Sequence, residues 1–268
     1  MMIAFISLIG FSVSEWGVID MRTAKAITSV ATMEADSEKP RPIVKAPVIY
    51  FYGKMPKEIA LSLEIPTDKL TASDPEFTGF NERPSWRIKP YNKKNKPSCW
   101  TDPEASPIIA NGKACDYIFY EAKVSYEETV YPFREEGKVG FMNSGRYPVY
   151  DLIYVTTSPD GEGFLSYYIP ELAPSQAVFS EPTSIPNDDK IKLRMVSAGL
   201  TEGAAAAFLK EWWETFQKPA NKTSYLGIPL VLSVLAYRLS PDEVNELLPL
   251  ILKPEPERLV RTWWVLIR

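Results

Sequence analysis

Glu211-Trp212-Trp213-Glu214 places two carboxylates and two indoles in four consecutive positions. Carboxylates beside aromatic platforms are the chemistry of glycoside hydrolysis, where one acid protonates the leaving oxygen and the other serves as base or nucleophile. On a helix the same four residues read as core indoles flanked by solvated acids three positions apart. Glu211 and Glu214 are thus the candidate catalytic residues, and only an opposed carboxylate across a cleft would make them so. The 268 residues include no histidine. That removes Ser-His-Asp and Cys-His nucleophiles, His-ligated metals and the imidazole proton shuttle. No metal site and no cofactor are expected, and a non-enzymatic role is favoured over catalysis.

A second constellation is RPSWRIKPYNKKNKPSCW, residues 83–100, which interleaves six basic residues with aromatic ones. Trp86, Tyr91 and Trp100 with Lys93 and Lys94 would offer stacking faces and positive charge to a single strand or an acidic glycan. A net charge of −4 provides no general attraction to nucleic acid, so a glycan is the expected partner of the two. The alternative is a solvated loop that its lysines keep soluble.

The elements that must position these residues are mostly strands. There are 24 prolines against 13 glycines, and proline breaks helix interiors and central ladders. KAPVIYFYGK predicts a strand buried on both faces, and KEIALSLEIP, alternating at Ile59, Leu61, Leu63 and Ile65, predicts a strand paired with it. Residues 67–115 show no clear period and read as a long loop excursion. DYIFYEAKVSYEE and GKVGFMN resume strand character. YPVYDLIYVTT and FLSYYIP form a hairpin turning at Asp160-Gly161, and DKIKLRMVSAG is expected to close the sheet. From residue 199 the pattern changes. Thr201 can cap a helix in which Phe208, Trp212 and Phe216 recur at i, i+4, i+8. Ser240-Pro241 with Glu243 starts another, and LVRTWWVLIR ends the chain as a strand. The expectation is a mainly β fold, sandwich-like antiparallel sheets with one or two C-terminal helices. Residues 15–198 form the β-rich domain, and residues 199–268 pack on it.

The first residues, MMIAFISLIGFSV, are an apolar run too short to span a bilayer comfortably. Ser12 and Ser14 have the spacing of a signal-peptidase site, which makes residues 1–14 a signal peptide and Glu15 the new N-terminus. The alternatives are a buried first strand and an uncleaved anchor. Cys99 and Cys115 would close a disulfide loop of roughly 15 residues worth on the order of 3 kcal/mol, or stand as two buried thiols.

Several segments, taken in order, resemble a family of uncharacterised predicted-secreted bacterial and archaeal proteins. Its His-Glu-Trp-Gly opening, Thr-Ser-Val stretch and TPVIYFY-like strand correspond to Glu15-Trp16-Gly17, Thr28-Ser29-Val30 and Ala46-Pro47-Val48-Ile49-Tyr50-Phe51-Tyr52. Later phrases correspond to Asn143-Ser144-Gly145, Leu172-Ala173-Pro174 and Leu248-Pro249-Leu250. Ser14 stands where the family has histidine. The resemblance implies secretion and marks Glu15 and Trp16 as a motif, but it brings no activity. The leading expectation is an extracytoplasmic binding or structural protein of the cell envelope. Its partner would be an envelope glycan or another surface protein, and it would not be an integral membrane protein after cleavage. The competing readings are a carboxylate-based glycan hydrolase and a cytosolic protein whose first strand imitates a signal.

Overall fold

The computed structural model describes residues 10–21, 43–80, 82–92, 102–158, 160, 163–219 and 233–268. In chain order the strands are β1 (Phe11–Met21), β2 (Ile43–Gly53), β3 (Ile59–Leu63), β4 (Leu70–Asp74), β5 (Thr78–Phe80), β6 (Arg83–Pro90), β7 (Ile108–Ala110), β8 (Lys113–Cys115) and β9 (Tyr117–Lys123). There follow β10 (Val130–Glu135), β11 (Lys138–Asn143), β12 (Val149–Thr157), β13 (Phe164–Leu172) and β14 (Ala177–Ser180). Helices α1 (Asp188–Ser197) and α2 (Glu202–Gln217) precede β15 (Ser233–Arg238), α3 (Pro241–Leu247), β16 (Leu250–Lys253) and β17 (Arg258–Ile267). The fold is mainly β, as the composition predicts.

The centre is an eight-stranded sheet in the order β13-β12-β15-β17-β1-β2-β9-β4. Its strands read as near-continuous apolar runs because both faces are covered. Along β1 the side chains alternate, so Phe11, Val13 and Ile19 enter one core and Trp16 and Val18 another. β2 divides likewise, with Ile49 and Phe51 on one face and Val48, Tyr50 and Tyr52 on the other. The first core lies against a six-stranded sheet, β16-β3-β6-β7-β8 with β5 on β6, and a three-stranded one, β10-β11-β14. The second lies beneath α1 and α2. The arrangement is therefore small sheets, large sheet, helices.

α2 forms where four alanines favour helix and Thr201 accepts a hydrogen bond from Ala204 N at 3.0 Å. Its buried face carries Phe208, Trp212, Trp213 and Phe216, with Phe208 stacked 5.8 Å from Trp264 of β17. Each such ring contributes about 2–3 kcal/mol by leaving water. α3 starts as expected, with Ser240 Oγ accepting from Glu243 N at 3.2 Å.

Several expectations are corrected. Residues 188–197 are helix α1, not a closing strand. Asn187 caps it, its side chain accepting from Lys190 N, and Ile191 and Met195, four apart, face the sheet. Arg194 of α1 ion-pairs with Asp151, which also accepts from Arg238 Nε at 3.0 Å and Tyr168 Oη at 2.8 Å. Asp151 sits at φ 52° where the β12–β15 register shifts, so the carboxylate turns inward to hold the helix.

β3 does not pair with β2. β2 is already flanked by β1 and β9, so β3, apolar on one face only, joins β16 and β6 in the second layer. The 67–115 excursion is not a loop, since it carries β4 to β8. The C-terminal region is not an addition to the β domain. β15 and β17 lie between β12 and β1 in the large sheet.

The seam after Ser14 falls in the middle of β1, flanked by parallel β17 and antiparallel β2. Ser14 is 3% exposed and Glu15 is fully buried. Removing residues up to Ser14 would strip Phe11 and Val13 from the core. Cys115 is buried in β8, and Cys99 lies outside the described residues, as does the Asp160-Gly161 turn at Gly161.

Candidate functional site

The register of the large sheet sets side chains from distant segments in rows. Trp16 of β1 is opposite Val48 of β2, Val48 is opposite Phe119 of β9, and Phe119 is opposite Asp74 of β4. The next row on the same face runs Ser14, Tyr50, Tyr117. Directly opposed residues share a face and touch, and the Tyr50 and Tyr117 rings meet edge-on at 5.9 Å. The result is a tiled aromatic floor that grades from a buried indole to an exposed carboxylate.

α2 packs on β12 and β15. Its flank, Gly203, Ala206, Ala207, Lys210 and Glu211, forms one wall of a cleft of about 1000 Å³ over that floor. Lys192 of α1, Pro103 and Glu104 complete the rim. This volume is at the upper end of the range of ligand pockets. The small side chains of Gly203, Ala206 and Ala207 keep the wall low.

The wall is held by buried Asp102. Its Oδ2 accepts from Tyr52 Oη at 2.9 Å and Thr201 Oγ1 at 2.7 Å, and its Oδ1 accepts from Glu104 N at 2.9 Å. Ser14 Oγ donates to Tyr52 Oη at 3.1 Å. Burial, with Asp102 beside it, pushes the Tyr52 phenol far up, so it stays a neutral donor. Thr201 both caps α2 and grips Asp102, so β1, β2, the 102–104 turn and the helix start form one unit. Gly203 is required there, since a Cβ would lie 2.2 Å from Asp102 Oδ1.

Four carboxylates line the cleft: Asp74, Glu104, Glu202 and Glu211. Asp74 is ion-paired to Lys113, and Glu202 to Lys192 at 3.3 Å. Partial burial, then the charges of Asp102 and Glu202, raise the Glu104 carboxyl above its ordinary value. Among the described residues, no group of three or more Cys, Asp or Glu side chains is placed to hold a metal.

The residues singled out by sequence separate. Glu211 lines the cleft with Glu104, Glu202 and Asp74, but Glu214 faces away in a surface depression, exposed and ion-paired to Lys218, which lowers its carboxyl. Helical geometry explains the split: residues 212 and 213 turn to the core, leaving 211 and 214 on opposite flanks. Trp86 is core, not a binding face. On β6 it alternates inward with Pro84 and Ile88, donates Nε1 to Pro75 O at 2.9 Å and meets Tyr120 at 6.4 Å. Tyr91 is half-buried, its N donating to Pro107 O. Lys93, Lys94 and Trp100 lie outside the described residues.

Glu15 and Trp16 part company because neighbours on a strand face opposite sides. Trp16 lines the cleft, and Glu15 is buried in the other core. Tyr50, Tyr117, Phe119, Glu104, Glu202 and Asp74 were not singled out by sequence. Alternation in VIYFY places Val48 and Tyr50 on one face, but nothing local says that residues 117–119 join them.

No family model and no curated protein matches this chain. Among solved structures it is similar to the yeast delta-COP-I mu-homology domain complexed with Dsl1 WxWxV peptide. The identity is 9% over 97% of this chain and 96% of that one, with a TM-score of 0.31. It is also similar to the yeast delta-COP-I mu-homology domain by itself, at 9% identity and a TM-score of 0.30 over the same shares. At these values the likeness assigns neither family nor activity.

The extracytoplasmic location expected from the sequence is corrected. The cleavage seam that carried the expectation is the interior of β1. No helix among the described residues is long and apolar enough to cross a membrane.

Proposed function

We propose that this protein is a non-covalent binding module whose ligand lies in the cleft between α2 and the β2–β9–β4 end of the large sheet. The observation that carries it is the floor. Tyr50, Tyr117 and Phe119, together with the aliphatic Val48, form a largely aromatic tile beside a helix wall of small residues. Such a surface binds an apolar or aromatic body, and the carboxylates around it orient polar groups. Saturation-transfer NMR with indole and p-cresol tests the reading. Transfer is expected with the wild-type chain and is expected to vanish in Ala207→Trp, which fills the cleft. Transfer that survives the substitution, or none to the wild type, would overturn it.

A second reading, a carboxylate-based glycan hydrolase, is favoured by one observation. Glu211 shares the cleft with Glu104, whose carboxyl is raised, the direction a general acid requires. It expects release of nitrophenol from aryl glycosides, abolished by Glu104→Gln. Absence of turnover across a panel of such glycosides would leave the binding reading alone.

A further inference from the structure

We propose that the cleft takes an extended peptide segment carrying a lysine or arginine side chain; this rests on the reading of the cleft as a binding site. Charge argues for the cation. Asp74 and Glu202 already have Lys113 and Lys192 as partners. Glu104 has no cationic partner among the described residues, and the groups acting on it are the carboxylates of Asp102 and Glu202. Of the charged groups lining the cleft four are acidic and two, Lys192 and Lys210, are basic, so an anion entering here would meet a net negative lining and a cation would relieve it. The α2 N-terminus is already matched by Glu202 in its first turn, so it offers no competing anion site.

The floor supplies the rest of a basic residue's needs. Lysine and arginine have apolar stems as well as charged heads, and both stem and head bind aromatic faces. Tyr117 and Phe119 lie between the helix wall and the exposed Asp74. The row from Trp16 to Asp74 crosses three inter-strand steps, or about 14 Å at ~4.8 Å each. That span matches four or five extended residues at ~3.3 Å apiece. A lone amine would occupy one end of it and leave the aromatic tile bare.

The test uses the full-length chain immobilised, and two acetylated, amidated hexapeptide libraries. One library has arginine fixed at a central position and the other has glutamate, and all other positions are randomised. Captured peptide is quantified against Ala207→Trp protein, and n-hexylammonium is titrated separately by NMR. The expected result is at least tenfold more capture of the arginine library than of the glutamate library. Capture should be lost in Ala207→Trp, and the preference should fall toward parity in Glu104→Gln.

Equal capture of both libraries, lost in Ala207→Trp, would overturn the basic ligand and leave the binding module standing. Capture of neither library, with n-hexylammonium perturbing Tyr117 in the wild type only, would overturn the peptide and retain an amine site. No binding of any probe at the cleft would overturn both the inference and the reading beneath it.

Discussion

Glu15 Oε2 lies 2.6 Å from Arg261 Nε, and the two residues are register partners on adjacent parallel strands although 246 positions separate them. Trp263 Nε1 donates to the same carboxylate oxygen at 3.1 Å, and Tyr120 Oη donates to Oε1 at 2.6 Å. Arg261 also donates to Leu248 O at 2.7 Å and to Asn245 Oδ1 at 3.1 Å, at the end of α3. One buried ion pair thus joins the first strand, the last strand, β9 and a helix end. The burial that would penalise a lone charge is offset because both groups are paired and hydrogen-bonded together.

Breaking that pair from either side leaves a charge in the core. Glu15→Gln and Arg261→Met are each expected to cost about 3–5 kcal/mol of unfolding free energy. The double variant should lose less than the sum of the two, because no unpaired charge remains. Urea unfolding of the four proteins at neutral pH measures the coupling, and additive losses would contradict it.

A chain beginning at Glu15 is expected not to fold. It lacks Phe11 and Val13, both almost fully buried, and the ladder partners of Tyr52 and Phe51. Circular dichroism and gel filtration of residues 15–268 beside the full chain provide the check. A native-like, soluble product would show that the first half of β1 is dispensable.

Gly203→Ala should destabilise, reversing the usual sign. In a helix interior the change normally gains about 0.5–1 kcal/mol. Here the new Cβ would meet Asp102 Oδ1 at 2.2 Å, and three hydrogen bonds hold that carboxylate in place. A loss of roughly 1–3 kcal/mol is expected. Thermal melting decides it, and a raised Tm would mean that the 102–104 turn yields easily.

Burial pushes the Glu243 carboxyl up to about 7 from an ordinary 4.5, with Arg146 pulling the other way. The folded chain therefore holds a proton that the unfolded chain releases above about 4.5. That contribution is complete below 4.5 and is lost as the pH rises to about 7. Stability should fall across this window by on the order of 1–2 kcal/mol, allowing for partial solvent screening. Glu243→Gln should flatten the profile and be more stable than wild type above neutrality. Melting curves at several pH values would show the difference, and an unchanged slope would remove Glu243 as its source.

The raised carboxyl of Glu104 has a consequence of its own for binding. As the pH falls through its raised pKa the group loses its charge, so capture of an arginine peptide should weaken on acidification. Glu104→Gln should abolish that dependence. A pH-independent wild type would place the cation elsewhere in the cleft.

Local signals in the sequence were sufficient for much of the fold. Thr201 and Ser240 cap the helices they were expected to cap. VIYFY is a strand buried on both faces, and residues 149–172 form the expected hairpin. These depend on hydrogen bonds and side-chain spacing within a dozen residues, which a sequence states directly. DKIKLRMVSAG failed because its apolar residues fit two periods, and the Asn187 cap with contacts to the sheet selected helix. Glu211 and Glu214, paired by the sequence, end up apart because helical rotation carries Glu214 to the other flank.

What the sequence by itself determined is that the chain is mainly β, where several of its strands lie, where two of the helices begin and that histidine chemistry is absent. What only the tertiary structure decided is that Glu15 meets Arg261, that Trp16, Val48, Phe119 and Asp74 form one row, and that Ser14 is the middle of a strand rather than an end. The physical reason is register. A ladder aligns residues separated by tens to hundreds of positions, and a shift of one residue would send every side chain to the opposite face. The candidate site is a product of that alignment, since its floor is drawn from four strands that no short stretch of sequence contains.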